Sequence, residues 1–376
     1  MPKLIPNDER ARLKNTMLKT LSVNGRIDFD ALAKETHSKK MRVYQLLKEL
    51  VEEYNLRFVP ELNIDEIWKY EYMRMSAHKS TKRELREETI ERIPDMGFEE
   101  YVIMLKFHND VPSSEELIKA VGDSPIPQFM ARLKGGKRQV LIYALARRFR
   151  DITIFADKIA VFLKDYKVSF YLSRALTEFG FFPVTDKFIE TLMIHDSYKQ
   201  LLLGLNKNGR EHLNIIAKKG GIKPENMSYA MERLMQADML KRITYYENEP
   251  KNVINAMITG VVTEMCKYRE NKDKWFLSMV NKYFATHCEY VYMCDLSSPY
   301  SIMIIASFKS NSDLEALIAT LKKDLQGMKI SYMQMTETLI GNLGIRDFDL
   351  RYSAIYDWLA RKKLVPMFNK RKAINF

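Results

Sequence analysis

Apolar side chains recur every three or four positions through the first fifty residues. Leu13, Met17, Leu18 and Leu21 share one helical face, and Asn24-Gly25 closes that helix. Asp28 N-caps a short second helix that buries Phe29, Leu32 and Ala33. A third helix runs from about Ser38 and buries Val43, Leu47, Leu50 and Val51, and Leu56–Val59 is extended before Pro60. Two short helices, a longer third and a strand make the plan of a winged helix-turn-helix. The pattern then alternates. Tyr101–Phe107 reads as a strand and Ser113–Val121 as a helix with Ser114 as its cap. Gln128–Leu133 and Gln139–Ala146 flank Gly135-Gly136 as a hairpin, Asp151–Leu163 is helical, and Lys167–Leu172 is a last strand. The order βαββαβ is ferredoxin-like.

Both patterns return. Leu21-Ser-Val-Asn24-Gly25-Arg26 matches Leu205-Asn-Lys-Asn208-Gly209-Arg210 at an offset of 184. The offset holds for Ala33-Lys34 with Ala217-Lys218, Leu50 with Leu234 and Leu56 with Leu240. A second offset, 162, aligns Gln139–Leu145 with Ser301–Ser307 and Lys167–Leu172 with Lys329–Gln334. The chain therefore reads as a duplicated two-part unit. The second copy gives Trp275–Thr286 and Asn311–Leu325 as helices, with Tyr290–Asp295, Ile302–Phe308 and Met328–Met333 as strands. Its first strand falls within Val253–Cys266.

The stretches Leu21–Leu50 and Leu205–Leu234, each followed by a βαββαβ pattern, resemble the leucine-responsive (Lrp/AsnC, feast/famine) family of transcriptional regulators. The resemblance implies an α+β fold of two tandem units, each a winged helix-turn-helix followed by a ferredoxin-like effector-binding (RAM-type) domain. The expected layout is a winged helix over 1–62, a linker over 63–98 and a RAM-like domain over 99–180. A second winged helix over 181–250, a second RAM-like domain over 251–343 and a basic tail over 344–376 complete it. Two departures stand out. Tyr54 and Asp238 take the place of the glycine that commonly closes the family's reading helix. The family's glycine- and aspartate-containing turn corresponds to Gly135–Gln139 in copy one and Ser297–Ser301 in copy two, without the acid in either. Gly135, Gly136 and Arg138 are the effector-binding candidates that remain.

Composition narrows the classes. The chain has 376 residues, 46% hydrophobic and 29% charged, which excludes fibrous and disordered chains. No uncharged apolar stretch approaches the roughly 20 residues of a membrane span, and no apolar signal core precedes Asp8, so a cytoplasmic protein is expected. The net charge of +12 favours polyanions. It is uneven: Met130–Arg174 holds 11 basic and 3 acidic residues, and Arg346–Phe376 holds 8 and 3. Tyr352–Leu364 has helical spacing ahead of Lys370-Arg371-Lys372, a grip for phosphates or a docking helix.

In a helix-turn-helix the start of the reading helix meets base edges while flanking cations hold phosphates. Copy one offers Ser38, Lys39, Lys40, Arg42, Tyr44 and Gln45 there, Arg42 suited to guanine and Gln45 to adenine. Copy two offers Lys218, Lys219, Lys223, Asn226, Ser228 and Tyr229, with Glu225 repelling phosphate. The expected partner is double-stranded DNA, with a small-molecule effector left open, no membrane, and homo-oligomers through the RAM-like domains. The two sheets of one chain would pair as an internal pseudo-dimer and read an asymmetric site.

No cofactor, metal or catalytic residue is expected. Cys266, His287, Cys288 and Cys294 lack ligand spacing, and neither GxxxxGK[ST] nor GxSxG occurs. The expectation is a regulator and not an enzyme. A tandem winged-helix replication initiator is one alternative. The other rests on relatives of this fold that decarboxylate sirohaem, for which Arg132, Lys134, Arg138 and Arg147 would bind carboxylates and His108 would move protons.

Overall fold

The computed structural model describes residues 7–79, 97–135, 138–179, 183–247, 253–264, 290–296 and 301–341. The later part of the expected linker, residues 80–96, and the sequence expectations for Trp275–Thr286 and Tyr352–Leu364, and for Gly136, Cys266, His287 and Cys288, lie outside these residues.

Helix α1 (Asn7–Val23) ends at Asn24, and α2 (Phe29–Glu35) begins where the Asp28 carboxylate accepts from the Ala31 amide, as the cap pattern requires. Helix α3 (Lys40–Tyr54) buries Val43, Leu46, Leu47 and Leu50 against α1 and α2. It closes on Asn55 in the left-handed region (φ 47°), a conformation that asparagine tolerates in place of glycine. Strand β1 (Leu56–Leu62) runs through Pro60 and beyond it.

Helix α4 (Ile64–Lys79) occupies what the sequence reads as linker and buries Ile67, Trp68 and Glu71. The first sheet domain follows: β2 (Glu99–Phe107), α5 (Ser114–Val121), β3 (Pro127–Lys134), β4 (Gln139–Ala146), α6 (Phe149–Phe162) and β5 (Val168–Phe179). The cap of α5 is Ser113, in a reciprocal box with Glu116, and not Ser114. The Ser114 hydroxyl is engaged by Arg132 and Glu337 instead.

The second copy repeats this order. Helices α7 (Asp186–Thr191), α8 (Asp196–Lys207), α9 (Leu213–Gly220) and α10 (Pro224–Gln236) lead to β6 (Leu240–Glu247). Here Asp238 (φ 52°) takes the left-handed position after the reading helix. Strands β7 (Ile254–Val262), β8 (Tyr290–Leu296) and β9 (Ile302–Phe308), helix α11 (Asn311–Asp324) and strand β10 (Met328–Ile340) complete the described elements.

Neither helix-turn-helix pairs its strand within its own unit. Strand β1 runs antiparallel to β6, from Leu56↔Glu247 to Leu62↔Leu240, so one ribbon joins the two helix-turn-helix units. The Asn-Gly-Arg of each copy sits beside it. The Gly25 amide donates to the Ile243 carbonyl at 2.7 Å, and the Gly209 amide to the Phe58 carbonyl at 2.7 Å. Arg26 crosses over to the carbonyls of Gly209 (2.7 Å) and Glu211 (2.8 Å); Arg210 returns to those of Gly25 and Ile27. Arg210 also lies over the rings of Phe29 and Phe58, each centroid 5.4 Å away. Burial lowers both guanidinium pKa values. The Glu211 charge opposes this at Arg26, and the like charge of Arg26 adds to it at Arg210.

The sheets close into a barrel of order β10-β3-β4-β2-β5-β8-β9-β7. Copy one supplies β3-β4-β2-β5 and copy two β8-β9-β7-β10, so the junctions β5–β8 and β10–β3 are equivalent. Each junction is made by a long strand that changes partner. Residues 168–174 of β5 pair with β2, and 175–179 pair with β8. Residues 328–334 of β10 pair with β7, and its remainder pairs with β3.

Along β2 and β4 alternate side chains divide between two cores. Ile103, Leu105, Val140 and Ile142 face α5 and α6. Val102, Met104, Leu141 and Tyr143 meet Met257, Met303, Ile305 and Met333 of the other copy. Unbranched methionines fill this inter-copy seam.

One buried ion pair ties α4 to the rest. The Glu71 side chain is fully buried and grips Arg147 at the end of β4 through two bonds, one at 3.0 Å. It also accepts from the Met193 amide, between α7 and α8. Arg147 donates to the Thr191 carbonyl at 3.1 Å and lies over Phe98 and Trp68.

A Cβ placed on Gly209 would stand 2.9 Å from the Phe58 carbonyl oxygen and 2.7 Å from Ile243 Cγ2. Gly209→Ala is therefore expected to destabilise the chain by about 1–3 kcal/mol, as overpacking does. Urea unfolding should show a lower midpoint with an unchanged slope.

Candidate nucleic-acid interface

The turn before α3 is tightly bonded. The Thr36 hydroxyl donates to the Leu32 carbonyl, His37 takes φ 48°, and the Ser38 amide returns to the Ala33 carbonyl at 2.8 Å. Ser38 is thereby a turn residue, its hydroxyl buried without a partner among the described residues. Lys39 is the N-cap position of α3 and projects into solvent with Lys40, Met41, Tyr44 and Gln45; Met41 is 68% exposed. Tyr44 is steadied by an edge contact with Phe29 at 5.4 Å.

The cations are not all free. Lys40 pairs with Asp30 at 2.6 Å, and Arg42 is half-buried and turned toward Glu9 of α1 at 3.3 Å. Arg42 as held here does not reach outward for a base. Within α3, Lys40, Arg42 and Lys48 balance Glu49, Glu52 and Glu53, so the helix is neutral. The side chains of Lys39 and Gln45 make no bond to another described residue.

In copy two, Gly221 turns the chain in the left-handed region (φ 66°), Lys223 stands at the N-cap and Pro224 opens α10. Lys218, Lys219, Lys223, Glu225, Asn226, Ser228 and Tyr229 are all exposed. Lys219 is 3.4 Å from Glu211, and Arg233 lies over the Tyr229 ring at 5.8 Å. Helix α10 carries Glu225 and Glu232 against Arg233, a net −1. The predicted residues other than Ser38 and Arg42 thus lie on two outward faces, with Lys39, Lys218 and Lys223 as cations unpaired among the described residues.

Of the effector candidates, Gly135 and Arg138 are among the described residues. A Cβ on Gly135 would meet Met333 Cγ at 2.7 Å, so the turn is packed on the second copy's last strand. Arg138 is exposed beyond it. A cavity of about 670 Å³ lies at the other end of β4, lined by Phe98, Pro125, Arg147, Ile154, Lys158 and Phe188 among others. Of the residues considered for carboxylate binding and proton transfer, Lys134, Arg138 and His108 lie toward one end of the first sheet, where Leu133 and Lys106 both pair with Gln139 and the Phe107 amide donates to the Arg138 carbonyl. Arg132 is bound to Ser114, the Pro112 carbonyl and Glu337. Lys134 is exposed, and His108 is an exposed residue 2.8 Å from Ser169 Oγ. Arg138 and Arg147 flank opposite ends of the eight-residue β4, roughly 30 Å apart at the strand rise. Arg147 therefore stands apart from Lys134, Arg138 and His108.

Sequence reasoning missed the Glu71–Arg147 pair and the crossing of Arg26 and Arg210. The repeated Asn-Gly-Arg was a signal for the second, because a glycine and an arginine kept together in both copies fit a shared contact. Among the described residues no three His, Cys, Asp or Glu side chains gather as metal ligands, and no helix is long and apolar enough to cross a membrane.

No family model and no curated protein matches the chain. Solved structures do. The crystal structure of the siroheme decarboxylase NirDL is similar over 93% of this chain and 99% of its own, at 13% identity and a TM-score of 0.52. Its co-complex with an iron-uroporphyrin III analogue is similar over 94% and 98%, at 14% identity and a TM-score of 0.50. The AsnC protein of E. coli aligns with 41% of this chain over 99% of its own, at 18% identity and a TM-score of 0.32. The α+β architecture of helix-turn-helix and ferredoxin-like units is thereby shown. The expectation that the chain is not an enzyme is overturned, because full-length structures sharing this two-unit fold are those of a decarboxylase.

The Arg42–Glu9 pair is exposed enough to hold Arg42 by no more than about 1 kcal/mol. Glu9→Gln should therefore raise affinity for duplex DNA two- to fivefold, roughly, in a fluorescence-anisotropy titration at low salt. An unchanged affinity would place Arg42 outside any contact.

Proposed function

We propose that the chain is a sequence-specific DNA-binding regulator in which one polypeptide takes the place of a dimer. The observation that carries this reading is the β1–β6 ribbon with its reciprocal arginines. It holds two helix-turn-helix units in one fixed relation while the outer faces of α3 and α10 stay in solvent. Two reading helices held this way would meet two half-sites, and their different side chains would favour an asymmetric sequence. Lys39 and Gln45 serve one half-site; Lys223, Asn226 and Ser228 serve the other. Lys218 and Lys219 lie close enough in the chain to hold phosphate. Because α3 is neutral and α10 acidic, affinity for arbitrary DNA would be low, and base contacts would carry a large share of binding.

Selection of bound duplexes from a random pool tests this. The enriched sequence should be non-palindromic. Lys39→Ala with Lys223→Ala should lower the slope of log K against log salt by about 1.8, since each phosphate contact contributes about 0.9. Absence of any enriched sequence would dismiss the reading.

A second reading is favoured by the full-length likeness to a siroheme decarboxylase and to its complex with an iron-uroporphyrin III analogue. On that reading the chain takes a carboxylated tetrapyrrole. Titration with iron-uroporphyrin, followed by the visible absorbance band, separates the two: a saturable shift at one equivalent supports the tetrapyrrole, and a flat titration removes it.

A further inference from the structure

Helix α6 buries Ile152, Phe155 and Ile159 against its sheet, as an amphipathic helix should, yet its outer face is not polar. Ile154 is 42% exposed, Val161 71% and Phe162 47%. Arg150, Ile154, Asp157 and Val161 follow one another at spacings of four, three and four, the seam of a helix–helix contact. Lys158 flanks the centre of that seam. Ile154, Asp157, Lys158, Val161 and Phe162 together line a shallow hollow of about 400 Å³. Neither the Asp157 nor the Lys158 side chain is bonded to another described residue.

The order of these residues is self-complementary. Two copies of α6 laid antiparallel about a two-fold axis between positions 157 and 158 set Ile154 against Val161, and Asp157 against Lys158. Arg150 then comes level with Asp165, an exposed residue in the turn after the helix. Each apolar residue meets an apolar one, and each charge meets its opposite.

Copy two does not share this. At the 162-residue offset its helix α11 places Ala316, Ala319, Thr320 and Lys323 at these positions. The stripe is therefore no requirement of the fold, and each chain carries it once. A two-fold contact made by a surface present once per chain closes at two copies.

We infer that the outer face of α6 is where a second copy of this chain docks, antiparallel and centred between Asp157 and Lys158. One helix pair sits at the small end of stable interfaces, so association at micromolar concentrations is expected.

Sedimentation equilibrium of the full chain, from about 1 to 300 µM to bracket that range, tests this together with two exposed single swaps. Asp157→Lys sets ammonium against ammonium, and Lys158→Asp sets carboxylate against carboxylate. Each should weaken the dimer about tenfold or more, while an equimolar mixture of the two variants should associate again. Thermal melting by circular dichroism verifies that both variants fold as the parent does. A chain that stays monomeric throughout overturns the inference. So does a dimer indifferent to both swaps, or one that the mixture fails to restore.

Discussion

Two arginines, each bonded to the other copy's backbone, fix the geometry on which the rest of this molecule depends. A two-stranded ribbon is marginal by itself, and β1–β6 gains its rigidity from the Asn-Gly-Arg turns clamped beside it. The clamp needs every letter. Asn24 and Asn208 accept from the amides of Arg26 and Arg210 and shape the turn, at 3.1 Å in both copies. Glycine lets the strand approach, and arginine spans to carbonyls that would otherwise be buried unpaired. Charge-assisted bonds of this kind each contribute about 1.5–3 kcal/mol. The two guanidiniums repel one another, and the carbonyls and aromatic rings around them offset that repulsion.

Much of the fold was legible because it rests on local chemistry. Helix periodicity, the Asp28 cap and the hairpin around Gly135 all use residues a few positions apart, and the structure keeps them. The rest depends on partners far along the chain. Lys167–Leu172 and Met328–Met333 read as strands because they alternate over their own sheets. Their continuations through Glu178 and Glu337 carry mixed side chains, and only the strand across the junction makes them extended. The helix α4 was read as linker because nothing in its letters pairs Glu71 with Arg147. At the reading helices the exposed positions were legible, but their electrostatics were not: Glu9 and Asp30 lie 33 and 10 residues from the cations they engage.

A duplicated fold does not by itself choose a chemistry. The same frame leaves two helix faces in solvent and encloses an apolar seam between two sheets. The seam is packed by methionine, leucine and tyrosine at its described positions, and of the cations once considered for a carboxylate site Arg132 and Arg147 are engaged by backbone carbonyls and acids. What distinguishes this chain is the divergence of its copies. α3 is neutral and α10 acidic, α6 has an apolar outer face and α11 a polar one, and symmetry survives mainly where the copies touch.

The barrel junctions also govern how such a chain emerges from the ribosome. Lys134 pairs with Gln334, 200 residues later, and Leu56 waits for Glu247. During synthesis the first sheet therefore stands complete on its helix side while its other face, with Val102, Leu141 and Tyr143, has nothing to cover it. Contacts of such long sequence separation form slowly, and exposed strand edges in the interim invite mispairing between nascent chains. Fusing the copies answers that hazard, because the partner of each edge is tethered to it and arrives at a local concentration that no separate subunit would reach.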